Sequence, residues 1–214
     1  MSGALQAVFQ NQRSFAPTVP TVIGQAFGGG FYAGQIGVSG VATHYLIVAP
    51  KASGQNVSLQ WKTTETSTSG TSSIIDGPTN SSNMNNASHP AAQFCEDLSI
   101  GGFTDWYMPA RNELEICYYN LKPTTATNSG VSGTNTNAVP SRGSNYQSGT
   151  PAQTSVSAFQ SGGAESFAAD IYFSSTEFDS TDARHQSFTN GAYGNTSKTS
   201  VFLMFVPLDE LLLI

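Results

Sequence analysis

Charge is what this 214-residue sequence has least of. Asp, Glu, Lys and Arg make up 10% of it, against about a quarter of an ordinary globular chain. The eight basic residues are scattered and the net charge is −6. A nucleic-acid ligand demands a basic stripe that neutralises phosphates, so no nucleic-acid partner is expected. Cysteine is nearly absent too. Cys95 and Cys117 make no disulfide framework; each falls on an apolar helix face, where a free thiol packs as a small hydrophobe, and a bridge between them is the less favoured alternative. Long apolar runs are missing. The longest, residues 201–208, falls far short of the about 20 residues of a membrane span, so no membrane insertion is expected. No basic stretch followed by an apolar one opens the chain, which argues against a secretory leader.

Patterns of catalytic chemistry are lacking as well. His44, His89 and His185 show no metal-ligand spacing, and neither a G-x-S-x-G elbow nor a P-loop occurs. Glu177, Asp179 and Asp182 offer oxygens of the kind calcium takes, but a solvated acidic loop is the commoner meaning of such a cluster. The expectation is no enzyme, no cofactor and no metal.

Ser, Thr, Asn, Gln and Gly fill the space that charge leaves, while a 38% hydrophobic share still supplies a core. Residues 1–20 read as an arm, broken by Pro17 and Pro20. Then GQAFGGGFYAGQIG reads as a hairpin turning at Gly28-Gly29-Gly30. Residues 44–51 (HYLIVAPK) form a buried type of strand, and VSLQWKTT another, with Val57, Leu59 and Trp61 on one face. Residues 63–86 read as a long polar loop. Ser88 is a candidate N-cap for a helix whose Ala91, Phe94, Cys95 and Leu98 share a face, ended by Gly101-Gly102. A second helix runs from Arg111 to Leu121, with Leu114, Cys117, Tyr118 and Leu121 buried and Pro123 stopping it. Residues 124–166 are almost wholly polar; they read as a functional loop or disordered insertion that buries little. Strands return at 170–174 and 200–206. The class is α+β: two helices, short antiparallel sheets and long polar loops.

Two blocks carry a resemblance. GGFTDWYMPARNELEICYYNL, residues 101–121, resembles the "GG-x-x-DWRLP-[TS]-x-x-EL" segment of phage and bacterial surface domains of the C-type-lectin-like family. YFSSTEFD, residues 172–179, resembles that family's "YWSSTE", in the same order and at a similar separation. Ala183, Phe188 and Gly191 echo a third element, and FGGGFYAGQI and HYLIVAPKASG look like phage tail and head-fibre sequences. The likeness covers roughly residues 21–206. It implies a C-type-lectin-like fold over that span, with 124–166 as an insertion and 207–214 as an apolar tail. The chain departs from the family at Ala110, where an N-cap Thr or Ser is usual, and in its closing strand, which lacks the family's arginines.

Within these blocks the expected roles are structural. Trp106 buries its ring between two helices, with one N–H to satisfy. Asp105 is spaced to pair with Arg111, and Glu113 favours the positive end of the helix. Pro109, Ser175 and Glu177 hold the blocks together, Glu177 accepting from the main chain or an Arg. The resemblance implies a protein displayed on a phage particle and assembled in the host cytoplasm. A receptor-binding tail or fibre module is one alternative, with a host glycan or protein receptor as partner. A structural component, in a capsid decoration, collar or baseplate, is the other. Ligand-binding candidates on the polar loops are Tyr146, Phe159, Tyr193 and Asn195, because aromatics among amides and hydroxyls suit saccharide and protein surfaces. The closing strand is apolar on both faces, and Phe202, Met204, Leu211, Leu212, Leu213 and Ile214 are expected to dock on other virion proteins or in a homo-oligomer, a trimer for choice. A strand sandwiched within one domain is the alternative.

Overall fold

Residues 20–205 and 207–211 are described by the computed structural model, 57–58, 203–205 and 207–211 through their backbone alone. Except for Pro20, the expected arm lies outside the described residues, as do Leu212, Leu213 and Ile214.

Glycine shapes the first hairpin. Strands β1 (Ala26–Phe27) and β2 (Gly30–Val38) pair antiparallel around a turn in which Gly29 has φ +79°. A Cβ on Gly101 would lie 2.5 Å from the Gly29 Cα, so this turn and the Gly101-Gly102 turn meet backbone to backbone, where no side chain fits. β3 (Val41–Val48) pairs with β2 through two register shifts. At the first, Gly34 has φ +135°, and a Cβ there would come within 2.5 Å of the Asn120 amide. The bulge thereby admits a helix against the sheet.

After a four-residue helix α1 (Lys51–Gly54) come β4 (Gln55–Gln60), α2 (Gly77–Ser82), α3 (Pro90–Glu96) and α4 (Arg111–Leu121). The chain closes with β5 (Ile171–Glu177), β6 (Asp182–Ser187), β7 (Tyr193–Ser197), β8 (Val201–Phe205) and β9 (Pro207–Leu211). One sheet has the order β1-β2-β3-β9 and the other β4-β8-β5-β6-β7. Pairing is antiparallel except between β5 and β8. The architecture is mixed α and β with four helices, where the sequence suggests two. α1 and α2 are too short for a hydrophobic period to show, although Asp76 caps α2 by accepting from Thr79 N at 2.9 Å. α3 starts after His89 rather than Ser88 and ends at Glu96, before the glycine pair. α4 keeps the expected bounds, with Leu114, Cys117, Tyr118 and Leu121 all buried.

Two cores result. α4 packs with Leu46, Val48, Tyr172 and Phe188 in one. Trp61, Met84, Trp106 and Phe173 gather with α3 in the other. Cys117 belongs to the first and Cys95 to the second, both as free thiols, so the alternative of a bridge is closed.

Two expectations need correction. Residues 124–166 are ordered and contribute Ala138, Tyr146 and Phe159 to the first core, with short bridges at Asn135–Arg142 and Gln147–Thr150. Residues 207–211 are no free tail either. They form β9, whose ladder runs from Pro207 opposite Val48 to Leu211 opposite His44. Pro207 begins a strand instead of stopping one, a position where its missing N–H is tolerated. Met204 stands opposite Asn56. Phe202 is half-buried and packs against the chain's own second core, its ring 5.0 Å from that of Phe173.

Candidate ligand-binding surface

The two motif blocks fold against one another. Ser175 N donates to Pro109 O at 2.7 Å, and Asn80 Nδ2 donates to Ser175 Oγ at 3.2 Å. Every helix leaves its first N–H groups without intrahelical partners, and Ala110 has no side chain to serve them. In α4 they find others. Glu113 reaches back to accept from Ala110 N at 2.7 Å. Thr176 Oγ1, on β5, accepts from Arg111 N at 3.0 Å, and Ile74 O accepts from Asn112 N at 2.9 Å. The cap missing from the sequence is supplied from another element.

Two of the expected motif contacts change, and a third gains a partner. Asp105 is exposed and forms no ion pair with Arg111, whose guanidinium instead lies over the Tyr193 ring at 4.3 Å. Trp106 is fully buried, but on the α3 side rather than between two helices, and its Nε1 has no hydrogen-bond partner among the described residues. Glu177 accepts from Thr68 N at 2.7 Å and Thr71 Oγ1 at 2.9 Å, as expected of a main-chain partner, but its cation is Lys198, at 3.1 Å.

Buried lysines organise the polar loops. Lys198 Nζ donates to Asp179 O at 2.6 Å, Ser180 O at 3.0 Å and Thr66 O at 3.1 Å. Lys62 Nζ donates to Thr66 O, Ser67 O and Thr68 Oγ1, and Lys122 Nζ to Ala126 O and Asn128 Oδ1. An ammonium carries three donors, so each ties several acceptors of a loop to one point. His89 closes the Lys62 chain, with Nε2 2.9 Å from Thr68 Oγ1 and Nδ1 2.9 Å from Asn86 Oδ1. Burial, then the charges of Lys62 and Lys198, push its pKa down to about 4.

Glu115 anchors the 124–166 segment from below. Its carboxylate accepts from Tyr146 OH at 2.6 Å and Asn135 Nδ2 at 2.6 Å, and pairs with Arg142. Burial pushes this carboxyl above its usual range, against the Arg142 charge and the hydrogen bonds. Arg142 also lies over the Tyr119 ring at 3.9 Å. Tyr146 and Phe159, expected to face a ligand, are instead core residues, 4% and 1% exposed, because aromatic rings in a polar run are what the fold has there to bury. Above them, half-buried Tyr119 and Arg142 and exposed Asn145, Gln147 and Thr150 line a shallow cleft of about 260 Å³. Arg142, the sole basic residue of 124–166, is a signal that could have marked this cleft but is not among the expected ligand-binding residues.

The other two ligand candidates sit on a strand rather than a loop. Tyr193 and Asn195 lie on β7, half-buried and exposed respectively, and Asn195 stands opposite Arg184 of β6. Arg184 lies over the Phe178 ring at 4.9 Å. The surface thus offers amides, hydroxyls, guanidiniums and ring edges on rigid elements, groups that bind by hydrogen bonding and stacking. Burial pushes both cysteine thiols well up, away from nucleophilic use. Asp179 Oδ1 is occupied by Thr181 N and Asp182 N, each at 2.8 Å, and no cluster of metal-ligating side chains occurs among the described residues. No helix among them is long and apolar enough to cross a membrane. No protein-family model, curated protein or solved structure matches this chain.

Proposed function

We propose that the chain is a virion-surface binding domain of C-type-lectin-like architecture, carried on a phage tail or fibre and attaching to a glycan or protein receptor on the host surface. The observation that carries this reading is the anchoring of a polar surface from beneath. Glu115 fixes Asn135, Arg142 and Tyr146, so the cleft with Tyr119, Asn145 and Gln147 is held in place before any ligand arrives. A surface already ordered loses less conformational entropy on binding, and amides beside aromatic rings suit sugars. The motif blocks at 101–121 and 172–179, packed on each other, add support from family resemblance.

Host-cell adsorption and a glycan array test it, using the native protein and an Asn145→Ala/Gln147→Ala variant. Both side chains are exposed and the variant gives up only the exposed Asn145 hydrogen bonds to Thr134 and Gly130, so it keeps most of its thermal stability, and binding is expected to fall at least tenfold. Unchanged binding by the variant removes the cleft from the reading. Failure of the native protein to bind cells or glycans removes the receptor role.

A second reading, a structural virion component, rests on a different observation. Val38 and Val41, 54% and 63% exposed, crown the β2–β3 hairpin, an apolar tip suited to docking on a neighbouring subunit, another virion protein or a further copy of this chain. Copy number separates the two: hundreds per particle support a decoration role, a handful a tail tip.

A further inference from the structure

Arg111 and Arg184 stand out against the charge economy of the chain. The protein has a surplus of six negative charges, yet neither guanidinium forms an ion pair among the described residues, where the pairs are Arg142–Glu115 and Lys198–Glu177. Asp182 shares the strand face of Arg184, two residues away, without pairing to either. Residues 1–19 contain no Asp or Glu, and Asp209 and Glu210 stand opposite Leu46 and Tyr45 in the other sheet.

The two arginines are instead held side by side on aromatic supports. Arg111 lies over Tyr193 and Arg184 over Phe178. In the β6–β7 ladder Tyr193 faces Gln186 and Asn195 faces Arg184. Directly opposed residues and those two apart share a sheet face, so Tyr193, Asn195 and Arg184 lie on one surface, with Arg111 laid across its end. Burial, and then the positive charge of Arg111, push the Arg184 guanidinium below its usual range. Its Nε is buried with no hydrogen-bond partner among the described residues. Two neighbouring cations repel one another, and an anion placed between them relieves that cost.

We infer that the Arg111–Arg184 face of β6 and β7, with Tyr193 and Asn195, is a binding site for an anionic group, of the kind carried by an acidic or phosphorylated sugar. Guanidinium donors in a planar fork match carboxylate and phosphate oxygens, and the Asn195 amide stands beside them to take a neighbouring hydroxyl. This site goes beyond the proposed receptor function and is separate from the Tyr119 cleft; it does not require the domain to be viral.

The test uses the full chain at low ionic strength with three probes: D-glucuronate, D-glucose 6-phosphate and D-glucose. Calorimetric titration and thermal shift report binding, since a ligand that binds only the folded state raises its Tm. At least one anionic sugar is expected to bind and raise the Tm, more weakly as salt is added, while glucose does neither. The tighter of the two anions identifies carboxylate or phosphate as the natural group. Arg184→Gln is expected to weaken binding at least tenfold, Arg184→Lys less, and Lys51→Gln, which removes the same charge elsewhere, not at all. Arg111→Gln provides the same readout should the Arg184 variants fold poorly. Equal binding of glucose, unchanged affinity in both Gln variants, or no binding of either anion at millimolar concentration overturns the inference. None of these outcomes touches the cell-binding result for Asn145 and Gln147, so the two proposals fail separately.

Discussion

Single residues in this protein are settled by their hydrogen-bond partners as much as by their size. Trp106 fills the second core completely, and Trp106→Ala is expected to lower unfolding free energy by about 3–5 kcal/mol, the usual cost of truncating a buried aromatic, read from denaturant unfolding. Its unpartnered Nε1 makes Trp106→Phe much milder than a tryptophan with a satisfied N–H would allow. Thr176 is a second case. It caps α4 from β5, so Thr176→Val is expected to cost about 1 kcal/mol, as loss of an N-cap side chain does. His89 is a third. Its pKa falls from the ordinary 6.5 to about 4 in the fold, so the folded state binds fewer protons than the unfolded one through that window. The sign follows: its contribution is complete above pH 6.5 and is lost as the pH drops toward 4. A Tm profile over that range is expected to slope downward on acidification, and His89→Gln to flatten it.

At the scale of elements, α4 and the polar segment 124–166 depend on one another. The helix places Glu115 and Tyr118 where they meet the segment, Tyr118 OH donating to Asn128 Oδ1 at 2.7 Å and Glu115 taking Tyr146, Asn135 and Arg142. Lys122, just past the helix end, holds Ala126 and Asn128. Lys122→Ala removes the donor that joins Ala126 O to Asn128 Oδ1, which keeps only Tyr118 OH, and is expected to cost about 1–3 kcal/mol. Deletion of 124–166 is expected to abolish cooperative unfolding, since it removes Ala138, Tyr146 and Phe159 from the core; circular dichroism during heating checks it. The hairpin, α4 and the first half of the strand at 171–177, read as 170–174, were legible in the sequence because each carries its own signal within a few residues: a glycine turn, a helical period, a β-rich run. The ordering of 124–166 was not, because key polar side chains in it are satisfied by groups far along the chain, Asn135 by Asn112 and Glu115 and Thr124 by Thr189.

For the molecule as a whole, β9 completes the first sheet. Removing residues 207–214 exposes the hydrogen-bonding edge of β3, and such an edge is a template for pairing with another chain. The truncated protein is expected to have a lower Tm and a raised tendency to self-associate, visible by light scattering. Unchanged stability would show that β9 adds little to the sheet.

The sequence by itself determined the α+β class, the α4 helix, the first hairpin, the burial of both cysteines and the absence of a basic nucleic-acid stripe. These depend on local period, local turn chemistry and total charge. Only the tertiary structure decided that Tyr146 and Phe159 are core, that Lys62, Lys122 and Lys198 are buried cations, that the chain end joins β3, and that Arg111 meets Tyr193 in place of Asp105. Burial and pairing of this kind are sums over contacts between distant positions, and a polar residue shows in sequence only that it needs partners, not where the fold will supply them.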